Sequence, residues 1–342
     1  MGLPKDSGIN LYPKYEAGSL NLITDVAGVK VGQVTHRSED HKVNTGVTVI
    51  IPHEGNVFRD KLFAASSVIN GFGKAVGLVQ VEELGTLESP IFLTNTLSVG
   101  TVLTAGVKYS LQNNPEIGMS TGTVNVVVGE CNDSVMNDIR GFHVTEEDVF
   151  EAIGKADSQF EEGAVGSGTG MMMMDLKGGI GSASRLFKIG DKTYTAGALV
   201  MTNYGSLANL TVGGDHIGRR IDETMNGKDK GSCILVIATD APLIDRQLKR
   251  VANRAAHALA RTGSYSGNGS GDVAIAFSTA NKLAHFNTEK TTNIEMLYDE
   301  ELDTLFEACV EAMEEALVSS VYHADTMEGF KGKTLHSLRD FL

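Results

Sequence analysis

Residues 29–36, VKVGQVTH, alternate apolar and polar positions, the period of a half-buried strand. TGVTVIIP (45–52) is a buried run closed by Pro52, and SPIFLTNT (89–96) and TVNVVVGE (123–130) predict two further strands. Between these last two, SVGTVLTAGVKYSLQ (98–112) has helical apolar spacing with Ser98 as its N-cap. VTEEDVFEAIGKAD (144–157) opens with Thr145 and Asp148 at capping-box spacing and predicts a second helix. Residues 168–205 hold two strand-like runs around a glycine turn. CILVIATD (233–240) predicts a strand and PLIDRQLKRVANRAAHALARTG (242–263) a helix, with Pro242 in its first turn and Gly263 at C′. DVAIAFSTAN (272–281) predicts another strand, and residues 299–324 a long helix with acids at its N-terminal end, as the helix dipole favours. Strands followed by long helices in both halves predict sheets covered by helices, an α/β architecture.

Residues 213–231, GGDHIGRRIDETMNGKDKG, break the pattern. Charges and glycines dominate, with only Ile217, Ile221 and Met225 as apolar anchors, so the stretch reads as an exposed connector holding a turn of helix. It delivers Gly231-Ser232 to the first residue of an apolar strand. Gly-Ser occurs seven times in the chain, so the dipeptide alone decides nothing. Either it is a loop-to-strand junction, or it is a bond built to be broken that would make Ser232 a new N-terminus.

Composition narrows the function. At 342 residues, 42% of them hydrophobic, the chain is long enough for two average domains or one large α/β unit with a substantial core. A net charge of −14 argues against nucleic acid and anionic membranes, both of which call for clustered Lys and Arg. Cys131, Cys233 and Cys309 are odd in number and show no metal-ligand spacing, which speaks against a disulfide framework and a structural zinc. The first twenty residues lack an apolar signal region and no run reaches membrane-span length, so a cytoplasmic protein is expected. Thirty-nine glycines against six prolines describe tight turns and close backbone approaches. Four methionines at 171–174 cannot converge on one ion, because neighbours in a strand point to opposite faces; core packing is expected there.

Ser232 as a nucleophile needs a base. No GxSxG elbow surrounds it, and the nine histidines are scattered. A cut after Gly231 would supply the base, since the α-amino group of Ser232, with pKa roughly 8, would lie beside its own hydroxyl. TNYG provides Asn203 at a strand end as an oxyanion donor, and GNGSGD (267–272) provides Ser270 and Asp272 on a glycine-rich turn. VGSGTG (165–170) only superficially resembles a phosphate loop, with no lysine and no GxGxxG.

Several blocks, in order from about residue 21 to 281, resemble the P1 family of self-processing aminopeptidases: the L-aminopeptidase/D-esterase and β-peptidyl aminopeptidase group. They are NLITDVAGVKVGQVTH, NGFGKAVGLVQVEELGTLESPIFLTNT, VVVGECND, GSGTGMMMMDLKGGIGSASR, GSCILVIATDAPL and RTGSYSGNGSGDVAIAFSTAN. The resemblance implies a single αββα sandwich over 1–342, of the kind shared with ornithine acetyltransferases and analogous to N-terminal-nucleophile hydrolases. It implies self-cleavage into 1–231 and 232–342, with Ser232 as nucleophile, Asn203 as oxyanion donor, and Ser270 and Asp272 assisting. Some relatives have glutamate where Asp272 stands. Glu130 would hold a substrate ammonium, and Asn132 occupies a place where some relatives carry tyrosine. No metal or cofactor enters that scheme, the substrates would be short peptides, amides or esters with a free amino group, and the cleaved pairs would form a homo-oligomer. An acyltransferase of the same architecture and an uncleaved binding module are the alternatives; the acyltransferases typically place threonine at the cut.

Overall fold

The computed structural model describes residues 2–342 apart from Lys5, Glu223, Met225 and Asn226. Its first half runs β1 (Lys30–Arg37), β2 (Asn44–Ile51), β3 (Asp60–Gly71), α1 (Leu78–Leu84), β4 (Thr86–Leu87), β5 (Ile91–Asn95), α2 (Val99–Asn113), β6 (Val127–Cys131) and α3 (Glu146–Gly154). After the short β7 (Met172–Met173) and β8 (Leu176–Lys177) come β9 (Ile180–Ile189), β10 (Lys192–Tyr204) and α4 (Ile217–Ile221). Then follow β11 (Gly231–Thr239), α5 (Asp245–Ala252), α6 (Ala255–Arg261), β12 (Ser270–Ala284) and α7 (Leu302–Tyr322).

Apart from β7 and β8, which pair with each other, these strands form a sheet of four in the order β1-β2-β5-β6 and a sheet of six in the order β4-β3-β12-β11-β10-β9. Apolar residues on each face decide what covers them. Val34, Val49 and Phe92 of the smaller sheet pack on Val102 of α2 and Val149 of α3. Its other face meets the larger sheet, with Val31, Ile50 and Ile91 against Leu199, Ile234 and Val236. Leu235 and Ile237 look away from that interface onto Leu248, Leu305 and Leu317 of the C-terminal helices. The layers therefore run helix, sheet, sheet, helix, the αββα sandwich expected. β11 is covered on both faces, which is why its sequence is a continuous apolar run rather than an alternating one.

Local expectations hold with corrections. Thr145 Oγ1 accepts from Asp148 N (3.3 Å) while Asp148 Oδ2 accepts from Thr145 N (2.8 Å), a complete capping box for α3. Ser98 makes no cap bond; Asn95 Oδ1, accepting from the N–H groups of Leu97 and Ser98, turns the chain into α2 instead. Pro242 precedes the helix rather than entering it, and the single helix expected over 242–263 is two, parted at Asn253 and Arg254. There Asn253 Oδ1 accepts from Ser67 Oγ of β3 (2.8 Å) and the Arg254 guanidinium lies 3.8 Å over the Phe306 ring. β6 starts at Val127, not 123, because Asn125 donates twice to Glu88 Oε1 (2.8 and 2.9 Å) and is held off the sheet. Ile217 and Ile221 anchor α4 in the connector; Met225 lies outside the described residues. Among the described residues no helix is long and apolar enough to cross a membrane.

Candidate active site

The connector enters the larger sheet at Gly231, whose φ of +113° suits glycine and whose missing Cβ would fall 1.9 Å from the Asn203 carbonyl oxygen. From there the register does the positioning. Antiparallel pairing of β10 with β11 sets Asn203 opposite Ser232. Parallel pairing of β11 with β12 sets Gly231 beside Ser270, Ser232 beside Gly271 and Cys233 beside Asp272. Strand alternation then sorts the side chains. Ser232 shares a face with Ile234, and Asn203 with Met201, toward the space between the sheets. A Cβ on Gly271 would lie 2.9 Å from Ser232 Oγ, so the glycine leaves the hydroxyl its room.

Ser232, Asn203, Glu130 and Asn132 line one cavity of about 320 Å³. Glu130, at the end of β6 and buried, accepts the Lys74 N–H at Oε1 (2.8 Å) and the Thr96 hydroxyl at Oε2. Each carboxylate oxygen keeps a lone pair for one more donor, which an ammonium in the cavity could supply. Asn203 is clamped at both ends of its amide: Oδ1 accepts from Met172 N (3.1 Å) and Nδ2 donates to Asn132 O (2.9 Å). These partners fix which end is nitrogen and leave one amide hydrogen free for a developing oxyanion. Asn132 contributes its carbonyl, while its side-chain Oδ1 accepts from Ser134 N (2.9 Å) in its own turn.

Ser270 and Asp272 stand elsewhere. They flank Gly271 and so point to the opposite face of the sheet, the side of Ala274 and the helices. Ser270 Oγ donates to Asp272 Oδ1 (2.6 Å), both residues are fully buried, and neither lines the cavity. Burial pushes the Asp272 carboxyl above its ordinary range, with the Ser270 hydrogen bond opposing. The connector is less free at this end than its composition suggests. Asp229 is buried, its Oδ2 accepting from Ser264 Oγ (2.7 Å) and Tyr265 N (2.8 Å), which ties the approach to Gly231 onto the loop before Ser270.

None of the nine histidines lines the cavity. Cys131 and Cys233 lie close by but are buried, and burial raises both thiols well above their ordinary range. Reading the residues alone overlooks Phe72, Lys74 and Met172, which also form the cavity wall. The methionine run is core packing at three positions: Met171, Met173 and Met174 are fully buried, while Met172 turns to the cavity and gives its N–H to Asn203. A methionine repeat carries no signal for which member does so.

The family model for peptidase family S58 matches residues 21–335. The β-peptidyl aminopeptidase BapA of Sphingosinicella microcystinivorans is 38% identical over 94% of this chain and 86% of its own length. A solved protein from Pyrococcus horikoshii OT3 is 49% identical with a TM-score of 0.94, covering 99% of this chain and 97% of that one. The L-aminopeptidase D-Ala-esterase/amidase of Ochrobactrum anthropi, described as a prototype serine aminopeptidase and a variant of the Ntn-hydrolase fold, is 34% identical with a TM-score of 0.89 over 97% of this chain and 94% of that one.

Proposed function

The chain belongs to peptidase family S58, and on that premise we propose that Ser232 is its nucleophile, freed by a self-inflicted cut after Gly231. Family membership makes it an enzyme, a hydrolase of the aminopeptidase, amidase and esterase kind. The observation that carries the nucleophile is the pairing of Ser232 with Asn203 in the wall of a cavity that also holds a buried carboxylate and no histidine.

In the uncut chain the Ser232 hydroxyl adds to the Gly231 carbonyl carbon. Its proton passes to the departing nitrogen, the C–N bond breaks, and an ester remains. Water then hydrolyses the ester to give the Gly231 carboxylate, a restored Ser232 hydroxyl and a free α-amino group. That amine, with pKa roughly 8, serves as the base in later turnovers. Ser270 and Asp272 assist from behind the strand rather than from within the cavity. Asn203 stabilises the oxyanion, and Glu130 holds the ammonium of a short peptide, amide or ester.

On this reading 1–231 and 232–342 stay together as one αββα unit and act without metal or cofactor. The exposed apolar side chains of Val68 and Val79 support assembly of these pairs into a homo-oligomer, and three free, buried cysteines support a cytoplasmic setting. On a denaturing gel the purified protein should give two fragments with Ser232 at the new N-terminus, and Ser232→Ala should stay whole. Short peptides with a free amino end should be hydrolysed, and their N-acetylated forms should not. Fragments from Ser232→Ala, or equal turnover of blocked peptides, would overturn the assignment.

A further inference from the structure

Lys177 is among the largest fully buried side chains of the protein. A buried ammonium is costly unless every proton is accepted. Its Nζ donates to Met171 O (2.7 Å), Gly178 O (2.7 Å) and, at longer range, Gly168 O (3.4 Å), so three backbone carbonyls and no carboxylate hold it. Burial works against the charge, pushing Lys177 down to about 7; Arg37 adds to that and the Asp133 carboxylate opposes it. Lys177 does not line the cavity. Its place comes from a tight hairpin. Met174 and Asp175 turn with φ of +52° and +60°, and the two-residue strands they join pair Met172 with Lys177.

One peptide group links this lysine to the candidate oxyanion donor. The carbonyl of Met171 accepts from Lys177, and the N–H of the same peptide plane, on Met172, donates to Asn203 Oδ1. Asn203 Nδ2 in turn donates to Asn132 O and offers its second hydrogen to the cavity. A cation on the carbonyl end of a peptide strengthens donation from its N–H end, and hydrogen bonds in series reinforce one another at low dielectric. The same contact, together with the Gly178 N–H that also donates to Met171 O (3.1 Å), holds the plane of that peptide and hence the direction of the Asn203 amide.

We propose that Lys177 is a positioning residue that orients and polarises the Asn203 oxyanion donor through the single Met171–Met172 peptide group. The proposal rests on the assignment of the oxyanion to Asn203. A purely structural lysine would lower stability in any background; a positioning lysine acts on kcat only while Asn203 is present.

The test is a double-mutant cycle on the full chain, with rates normalised to the processed fraction on a denaturing gel and a free-amino short peptide amide as substrate. Asn203→Ala should lower kcat by about 10²–10³, the usual loss of one oxyanion donor. Lys177→Met should lower kcat by about tenfold or more, in the range for losing a group that holds a functional side chain in place, with KM little changed. In the Asn203→Ala background the same substitution should change kcat by less than about twofold, because the relay has lost its end. Equal losses in both backgrounds would overturn the proposal while leaving the oxyanion assignment standing, as would wild-type kcat in Lys177→Met. Wild-type kcat in Asn203→Ala would remove both. If Lys177→Met fails to fold, Lys177→Gln keeps a donor without the charge, and its loss of kcat should likewise vanish in the Asn203→Ala background; a loss that persists there rejects the relay.

Discussion

Glu130 shows how far a single residue type can be read. A carboxylate at a strand end is a natural seat for an ammonium, and the fold buries it with one neutral donor on each oxygen. Glu130→Gln keeps an acceptor for the Lys74 N–H but removes the charge. It should raise KM for free-amino substrates by about 10-fold or more, the worth of one charged hydrogen bond, while kcat falls less. Steady-state kinetics on the processed enzyme check this, and an unchanged KM would move the ammonium elsewhere. Ser232 and Asn203 draw notice by their residue types at strand ends, and Glu130 only through the family resemblance; the fold brings all three to one cavity. Lys74, Met172 and Lys177 draw none, because what they contribute is a backbone N–H, a cavity wall or a contact to a carbonyl that only the folded chain brings near. Ser270 and Asp272 lie between these cases, since the sequence places them beside Ser232 but only the alternation of β12 says which face they take.

Among elements, β11 and α7 are read to within three residues at each end, because one is a continuous apolar run and the other a long helix with acids ahead of it. β11 nonetheless starts two residues early and takes in Gly231 and a buried Ser232. β3 escapes. Its centre is Ala64, Ala65, Ser66 and Ser67, small residues with little hydropathy contrast, yet all four are buried and Ser67 bonds Asn253 beside α5. The connector's far end misleads for a similar reason: Asp229 looks solvated and is pinned by Ser264 and Tyr265. At the start of β11 the decisive feature is the backbone of Gly231. Gly231→Ala must adopt a left-handed φ and set a Cβ 1.9 Å from Asn203 O, so the β10–β11 edge has to open. The strained φ alone costs about 1–3 kcal/mol. The variant should melt lower than wild type by circular dichroism and remain uncut on a gel. Full processing at wild-type stability would show that this edge does not set the cut.

At the scale of the whole molecule, pH acts through groups the sequence gives no reason to single out. Burial raises the Asp133 carboxyl from 3.8 to about 7, against hydrogen bonds from Thr45 and Asn137. Between those values the folded protein holds a proton that the unfolded chain has released, so this group's contribution to stability falls as pH rises and is lowest above about pH 7. Relative to wild type, Asp133→Asn should gain stability from about pH 4 to about pH 8, by at most about 4 kcal/mol, as read from urea midpoints. A difference that does not change with pH would show that Asp133 ionises normally. The strand order carries a different lesson. β11, which contains Ser232, and β12, which follows it, lie in the interior of the larger sheet, with β3 on one side and β10 on the other, and both of those precede the proposed cut. Two pieces made by that cut would be interlaced like clasped fingers, so breaking the covalent chain would release neither. What such a cut would remove is the way back: an uncut chain folds as a single molecule, whereas separated halves, once unfolded, would have to find each other by collision.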